Sequence, residues 1–162
     1  MTVKDNVKVG VHNHHVYSTL SGIVRTPKYR KEEAVMDAKA AELLKVFDLL
    51  DEAETLASNL PYGKQRRLEI ARAMATDPKL LLLDEPAAGM NADESLELVD
   101  FIFDLKKKFP ITILMIEHHM DVVTNLCDAC TVLNFGKTLA VGTVDEIKKN
   151  PEVIAAYLGG DE

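Results

Sequence analysis

Two adjacent carboxylates, Asp84 and Glu85, follow the unbroken apolar run Leu80-Leu81-Leu82-Leu83 and precede Pro86. Such a run predicts a strand buried on both faces, and ligands of open α/β sheets collect at the carboxyl ends of such strands. The first acid suits Mg²⁺, which keeps several waters and accepts few protein oxygens. The second can orient and deprotonate a water attacking a terminal phosphate. The plain alternative is a core strand ending in a solvated acidic turn. The flanking sequence decides between the two.

Upstream, residues 60–73 predict a turn feeding a helix, with Pro61 and Gly63 near its start and Leu68, Ala71 and Ala75 on one face. The N-terminus of that helix is free to meet an anion. Downstream, Asn91 with Asp93 and Glu94 offers an N-cap and an acidic first turn. Leu96, Val99, Ile102, Phe103 and Leu105 then supply an apolar helical face, and Lys106-Lys107-Lys108 complements the helix dipole at its end. Residues 111–116 predict a second buried strand, running into Glu117-His118-His119-Met120-Asp121. A lone histidine is more often structural, but His118 ends a strand at a fitting distance after the two acids. His119 reads as a surface residue at the start of the next helix. Residues 132–141 alternate around Gly136 as a hairpin.

The remaining sequence supplies supporting elements. Thr2 and Asp5 form a capping box ahead of Val3, Val7 and Val11 at helical spacing. Residues 31–50 predict a helix with Ala34, Val35, Ala38, Ala41, Leu44 and Phe47 on one face, and residues 19–30, with Gly22 and Pro27, a loop. Near the end, Asn150-Pro151 starts a short helix whose Val153, Ile154 and Tyr157 face inward. His12, His14 and His15 lack a cysteine or carboxylate at ligand spacing and read as solvated. The single pair Cys127 and Cys130 has no second pair and lies between a predicted helix and strand, so it reads as structural.

Taken together, these motifs resemble the ATP-binding subunits of ABC transporters. Residues 60–64 occupy the five positions of the LSGGQ signature, with Pro61 in place of serine and Tyr62 in place of the first glycine. Asp84 and Glu85 resemble Walker B, residues 85–91 the D-loop region, and Glu117-His118 the switch-histidine loop. The LPYG variant and the tail ending Tyr157-Leu158-Gly159 are similar to those of branched-chain amino-acid importers.

The resemblance implies an α/β fold, the C-terminal part of an ABC-type P-loop NTPase domain with a largely parallel sheet flanked by helices, plus an α-helical signature subdomain. It implies a division into 1–78, the helical subdomain, and 79–162, the C-terminal part of the RecA-like core. The implied cofactors are ATP and Mg²⁺ in the complete domain and dimer. Asp84 is expected to hold Mg²⁺ through water, Glu85 to act as general base and His118 to contact the γ-phosphate. Tyr62, Gly63 and Lys64 are expected to close over the ATP of an opposite subunit, and Asn91 to report across that interface.

The implied partners are a second ATP-binding subunit, identical or not, transmembrane permease subunits and, indirectly, an extracytoplasmic substrate-binding protein. The implied place is cytoplasmic, peripheral on the inner face of the membrane. Two competing readings are an ATPase for urea, amides or lipopolysaccharide, and a non-catalytic interaction fragment.

A phosphate-cradling loop requires Gly-x-x-x-x-Gly-Lys-Ser/Thr, and the 162 residues contain none. Gly136-Lys137-Thr138 fails because Thr131 stands where the first glycine belongs. By resemblance, residues 1–10 correspond to the stretch just after the Q-loop. The expectation is therefore a second half of a domain, unable to hydrolyse ATP alone and left with an open edge beside strand 111–116 that favours self-association. The net charge of −7 argues against a nucleic-acid surface, and nothing resembles a signal peptide or a membrane span.

Overall fold

A computed structural model describes residues 1–12 and 19–158. His14, His15 and Gly159 lie outside the described residues, as does the side chain of Tyr157.

Helix α1 (Val3–Val11) starts where Thr2 accepts a hydrogen bond from the Asp5 N–H, and its valines at 3, 7 and 11 are fully buried. Only this half of the expected capping box forms. Gly10 lets α1 press onto helix α4 (Tyr62–Met74), since a Cβ there would stand 2.3 Å from the Arg72 carbonyl oxygen. Lys8, bonded to Glu33 and Asp37 at 2.8 Å each, ties α1 to helix α3 (Pro27–Val46).

The stretch expected as a loop at 19–30 instead contains helix α2 (Thr19–Val24) and the first turn of α3. The reason is local: Thr26 caps α3 and Pro27 takes its first turn, where a missing N–H costs nothing. The chain turns between the two helices at Arg25, in the left-handed region. The predicted face of α3 is also rotated. Met36, Ala40, Leu43, Leu44 and Phe47 are buried, whereas Ala34, Val35 and Ala38 face outward. Both stripes have helical spacing, and the larger side chains take the interior because they remove more apolar area from water.

Strand β1 (Leu80–Asp84) pairs in parallel with β2 (Thr112–Ile116), with Leu82 opposite Leu114 and Asp84 opposite Ile116. Helix α5 (Ala92–Lys108) connects them. Its buried positions are Leu98, Val99, Ile102 and Leu105, while the predicted Leu96 and Phe103 are exposed. Asn91 and Glu94 complete a reciprocal capping box at its start.

The expectation of two strands buried on both faces is corrected here. Leu81 is buried and Leu83, Ile113 and Met115 pack on the core, but Leu82 and Ile116 are 66% and 64% exposed. Among the described residues this sheet has two strands, and nothing covers its second face.

After β2 come helix α6 (Met120–Leu126) and an antiparallel hairpin, β3 (Cys130–Asn134) with β4 (Lys137–Gly142). Its two-residue turn, Phe135-Gly136, has positive φ at both positions, the geometry that matches strand twist. Helices α7 (Val144–Lys149) and α8 (Pro151–Val153) fold back on the hairpin, burying Ile147 and Val153. Ile154, expected to face inward, is 40% exposed.

One contiguous core runs from Val3 through Phe47, Leu68 and Leu81 to Leu105 and Val122. Phe47 meets Phe101 edge to face at 5.2 Å, joining the helical part to α5.

Candidate active site at the ends of the parallel strands

The parallel register places the ends of β1 and β2 side by side, so the residues after each strand converge. The Glu85 N–H donates to the Ile116 carbonyl at 2.9 Å, extending the ladder one step past β1. Glu85 itself lies at φ +43°, a left-handed conformation disfavoured for a side chain of this kind. Such strain is retained where surrounding structure over-determines it, and functional sites are where it concentrates. Its carboxylate Oε1 comes within 3.4 Å of His118 Nδ1. Asp84 stands beside it, exposed. Three residues identified from motifs separated by 32 positions or more thus share one end of the sheet.

Glu117 is the residue that sequence reading passed over. Its side chain is only 1% exposed, and its Oε2 accepts from the N–H groups of His118 and His119 at 2.8 and 3.1 Å. Burial pushes its pKa up, but these bonds and that to the His119 ring outweigh it and hold the carboxyl below the ordinary range. Glu117 thereby fixes the backbone that carries His118. A glutamate at a strand end followed directly by two backbone donors was the available signal.

The signature-like segment starts α4, with Pro61 in the N-cap position and no side-chain cap. Gly63 has open space around its Cα. Tyr62 reaches sideways: its hydroxyl donates to the Ala88 carbonyl at 2.7 Å and accepts from Arg66 at 2.7 Å. It therefore ties the start of α4 to the turn 85–90, in which Gly89 has φ +79°. Lys64 pairs with Glu52. Asn91 uses its side-chain oxygen to cap α5. The acids and histidine come together; Tyr62 joins them only through the 85–90 turn, and Lys64 and Asn91 are engaged with Glu52 and the α5 N-terminus.

A hollow lined by Asn6, Gln65, Glu69 and Arg72, and a shallower one along Ala34, Val35 and Ala38, lie elsewhere. The acid–histidine end is an open surface. Cys127 and Cys130 are free thiols, both pushed up in pKa by burial. No helix among the described residues is long and apolar enough to cross a membrane.

The donor set fits a magnesium nucleotide in part. An exposed carboxylate at a strand end suits a hard, hydrated cation, and a strained glutamate beside a histidine suits a water and a phosphate oxygen. The phosphate-cradling loop is not among these 162 residues.

The sequence model of the ABC transporter family matches residues 1–88, and that of the branched-chain amino acid ATP-binding cassette transporter matches residues 137–162. The high-affinity branched-chain amino acid transport ATP-binding protein LivG of Salmonella typhimurium is 46% identical over 159 residues, which are 98% of this chain and 62% of LivG. BraF of Pseudomonas aeruginosa, described in the same words, is 43% identical over the same shares. Among solved structures, the ADP conformation of MJ1267, an ATP-binding cassette of an ABC transporter, superposes with a TM-score of 0.78 at 31% identity, covering 98% of this chain and 63% of MJ1267. The chain thus spans about 62% of the length of the curated relatives it matches.

Proposed function

This chain belongs to the ABC transporter family, and on that premise we propose that it forms part of the ATP-hydrolysing subunit of a branched-chain amino-acid importer. Residues 1–78 serve as the helical signature subdomain and 79–162 as the C-terminal part of the catalytic core. Two findings favour this transport class over urea, amide or lipopolysaccharide systems: the identity to LivG and BraF across 98% of the chain, and the match of residues 137–162 to the branched-chain amino acid ATP-binding cassette transporter family.

The observation that carries the catalytic reading is the 3.4 Å approach of Glu85 to His118 at the ends of two paired parallel strands. In this reading Asp84 would hold the hydrated Mg²⁺ of the nucleotide. The ion would supply neutralisation of phosphate charge. Glu85 orients the attacking water and takes its proton. His118, held by the Glu117 hydrogen bonds, contacts the terminal phosphate. Gly63, open at the start of α4, and its neighbours Tyr62 and Lys64 face the nucleotide of a second ATP-binding subunit, with Asn91 at that interface. A P-loop must come from polypeptide beyond these 162 residues, in the same chain or another. The assembly includes permease subunits in the membrane and, through them, a substrate-binding protein, which places this subunit at the inner membrane surface.

The test is Glu85→Gln in the assembled transporter. Turnover is expected to fall by about 10²–10⁴-fold, the usual worth of a positioned general base, while ATP binding persists. Undiminished hydrolysis would refute the base assignment.

A further inference from the structure

The loop after β2 carries a second imidazole, His119, next to His118, and a buried acid, Glu117, beneath both. Glu117, His118 and His119 each bring one donor atom within 4.8 Å of the others. His119 Nδ1 lies 3.0 Å and His118 Nδ1 3.6 Å from Glu117 Oε2, and Glu85 Oε1 lies 3.4 Å from His118 Nδ1.

Zinc bonded at about 2.0–2.1 Å to nitrogen and oxygen ligands in a tetrahedron separates neighbouring donors by roughly 3.3–3.4 Å. The observed separations bracket that value. Glu117 Oε2, the oxygen that faces both imidazoles, is held in place by the His118 and His119 backbone N–H groups, as outer-shell donors hold metal ligands.

We propose that Glu117, His118 and His119 form a three-ligand binding site for a divalent transition metal of the zinc class, with the fourth position left to water. Two imidazoles and a carboxylate suit Zn²⁺, whereas Mg²⁺ takes oxygen ligands and retains its waters. Such an ion engages the same His118 that the proposed hydrolysis uses. Resting on that reading, a regulatory consequence follows: metal and nucleotide compete, and zinc holds the subunit in a nucleotide-free state.

Binding is tested first, without reference to ATP. Zn²⁺ is titrated into the 162-residue chain against a chromophoric chelator, with Co²⁺ as a spectroscopic probe. One site is expected, its Co²⁺ form showing tetrahedral visible bands without the near-ultraviolet thiolate transition that ligation by Cys127 or Cys130 gives. His119→Asn keeps a polar residue at the N-cap of α6, where His119 makes no side-chain cap, but removes an imidazole, and should weaken binding about tenfold or more. His118→Asn should do the same, with far-ultraviolet circular dichroism confirming that both variants fold. Cys127→Ser with Cys130→Ser, and His14→Asn with His15→Asn, should leave affinity unchanged. Absence of binding overturns the proposal, as do wild-type affinity in both histidine variants or loss of affinity in the cysteine or His14/His15 pair.

In the transporter, zinc should inhibit ATP hydrolysis, and His119→Asn should relieve the inhibition with zinc-free turnover preserved. Binding to the chain without inhibition would remove the regulatory consequence and leave the site standing.

Discussion

The helical half and the parallel sheet treat similar apolar residues in opposite ways. In the first, Val3, Val7, Val11, Met36, Leu44 and Phe47 are almost wholly withdrawn from solvent by one another. In the second, leucines and isoleucines alternate between core and water, so that Leu80, Leu82, Leu114 and Ile116 form an uncovered stripe. A helix needs only one apolar stripe covered, and α1, α3 and α4 cover each other's. A parallel sheet made of apolar runs needs both faces covered, and here the covering layer on one face is absent from the described residues. The difference teaches that burial inferred from an apolar run is a statement about neighbours, not about the strand alone.

The comparison can be broken at its strongest point first. Phe47→Ala empties a site that is fully buried and in contact with Phe101, and should cost about 3–5 kcal/mol in urea unfolding of the chain. A cost under 1 kcal/mol would show that the helical half is not closed. Next, Asn91→Ala removes the capping box of α5 and should cost about 1 kcal/mol, measured the same way; no change would mean that the cap is idle.

The acid end gives a pH-dependent contrast. Glu117 has a lowered folded-state pKa, so its stabilisation is present above the ordinary glutamate pKa of about 4.3 and is lost as pH falls through the lowered value. Glu117→Gln should therefore flatten the stability profile in that acid range, and an unchanged profile would remove Glu117 from its role. Smallest of all, Leu82→Ser on the open sheet face should change stability by no more than about 0.5 kcal/mol while reducing self-association seen by analytical ultracentrifugation. A loss comparable to that of Phe47→Ala would mean that the face is covered after all.

The positions of the motifs were largely legible in the sequence. Asp84, Glu85 and His118 were found by residue type, by order along the chain and by their positions after apolar runs. The hairpin turn was legible because Gly136 in a two-residue loop leaves few backbone options. Helix faces were less so. In α3 and α5 apolar residues occupy more than one stripe, and periodicity cannot choose between stripes when the choice depends on what packs opposite. That is why Val35, Leu96 and Phe103 face water while Met36 and Leu98 do not. The α2 helix was hidden because a short segment with a glycine has no strong local preference.

By itself the sequence determined most of the elements, the Asn91 cap of α5, and which acids and imidazole stand at the ends of apolar runs, because these depend on neighbours a few residues away. Only the tertiary structure decided that Glu85 meets His118, that Glu117 is buried beneath two histidines, that Tyr62 bonds to Ala88, and which sheet face lies open. Those facts arise from strand register and packing between segments distant along the chain, and no local pattern encodes the distance between groups that only folding brings together.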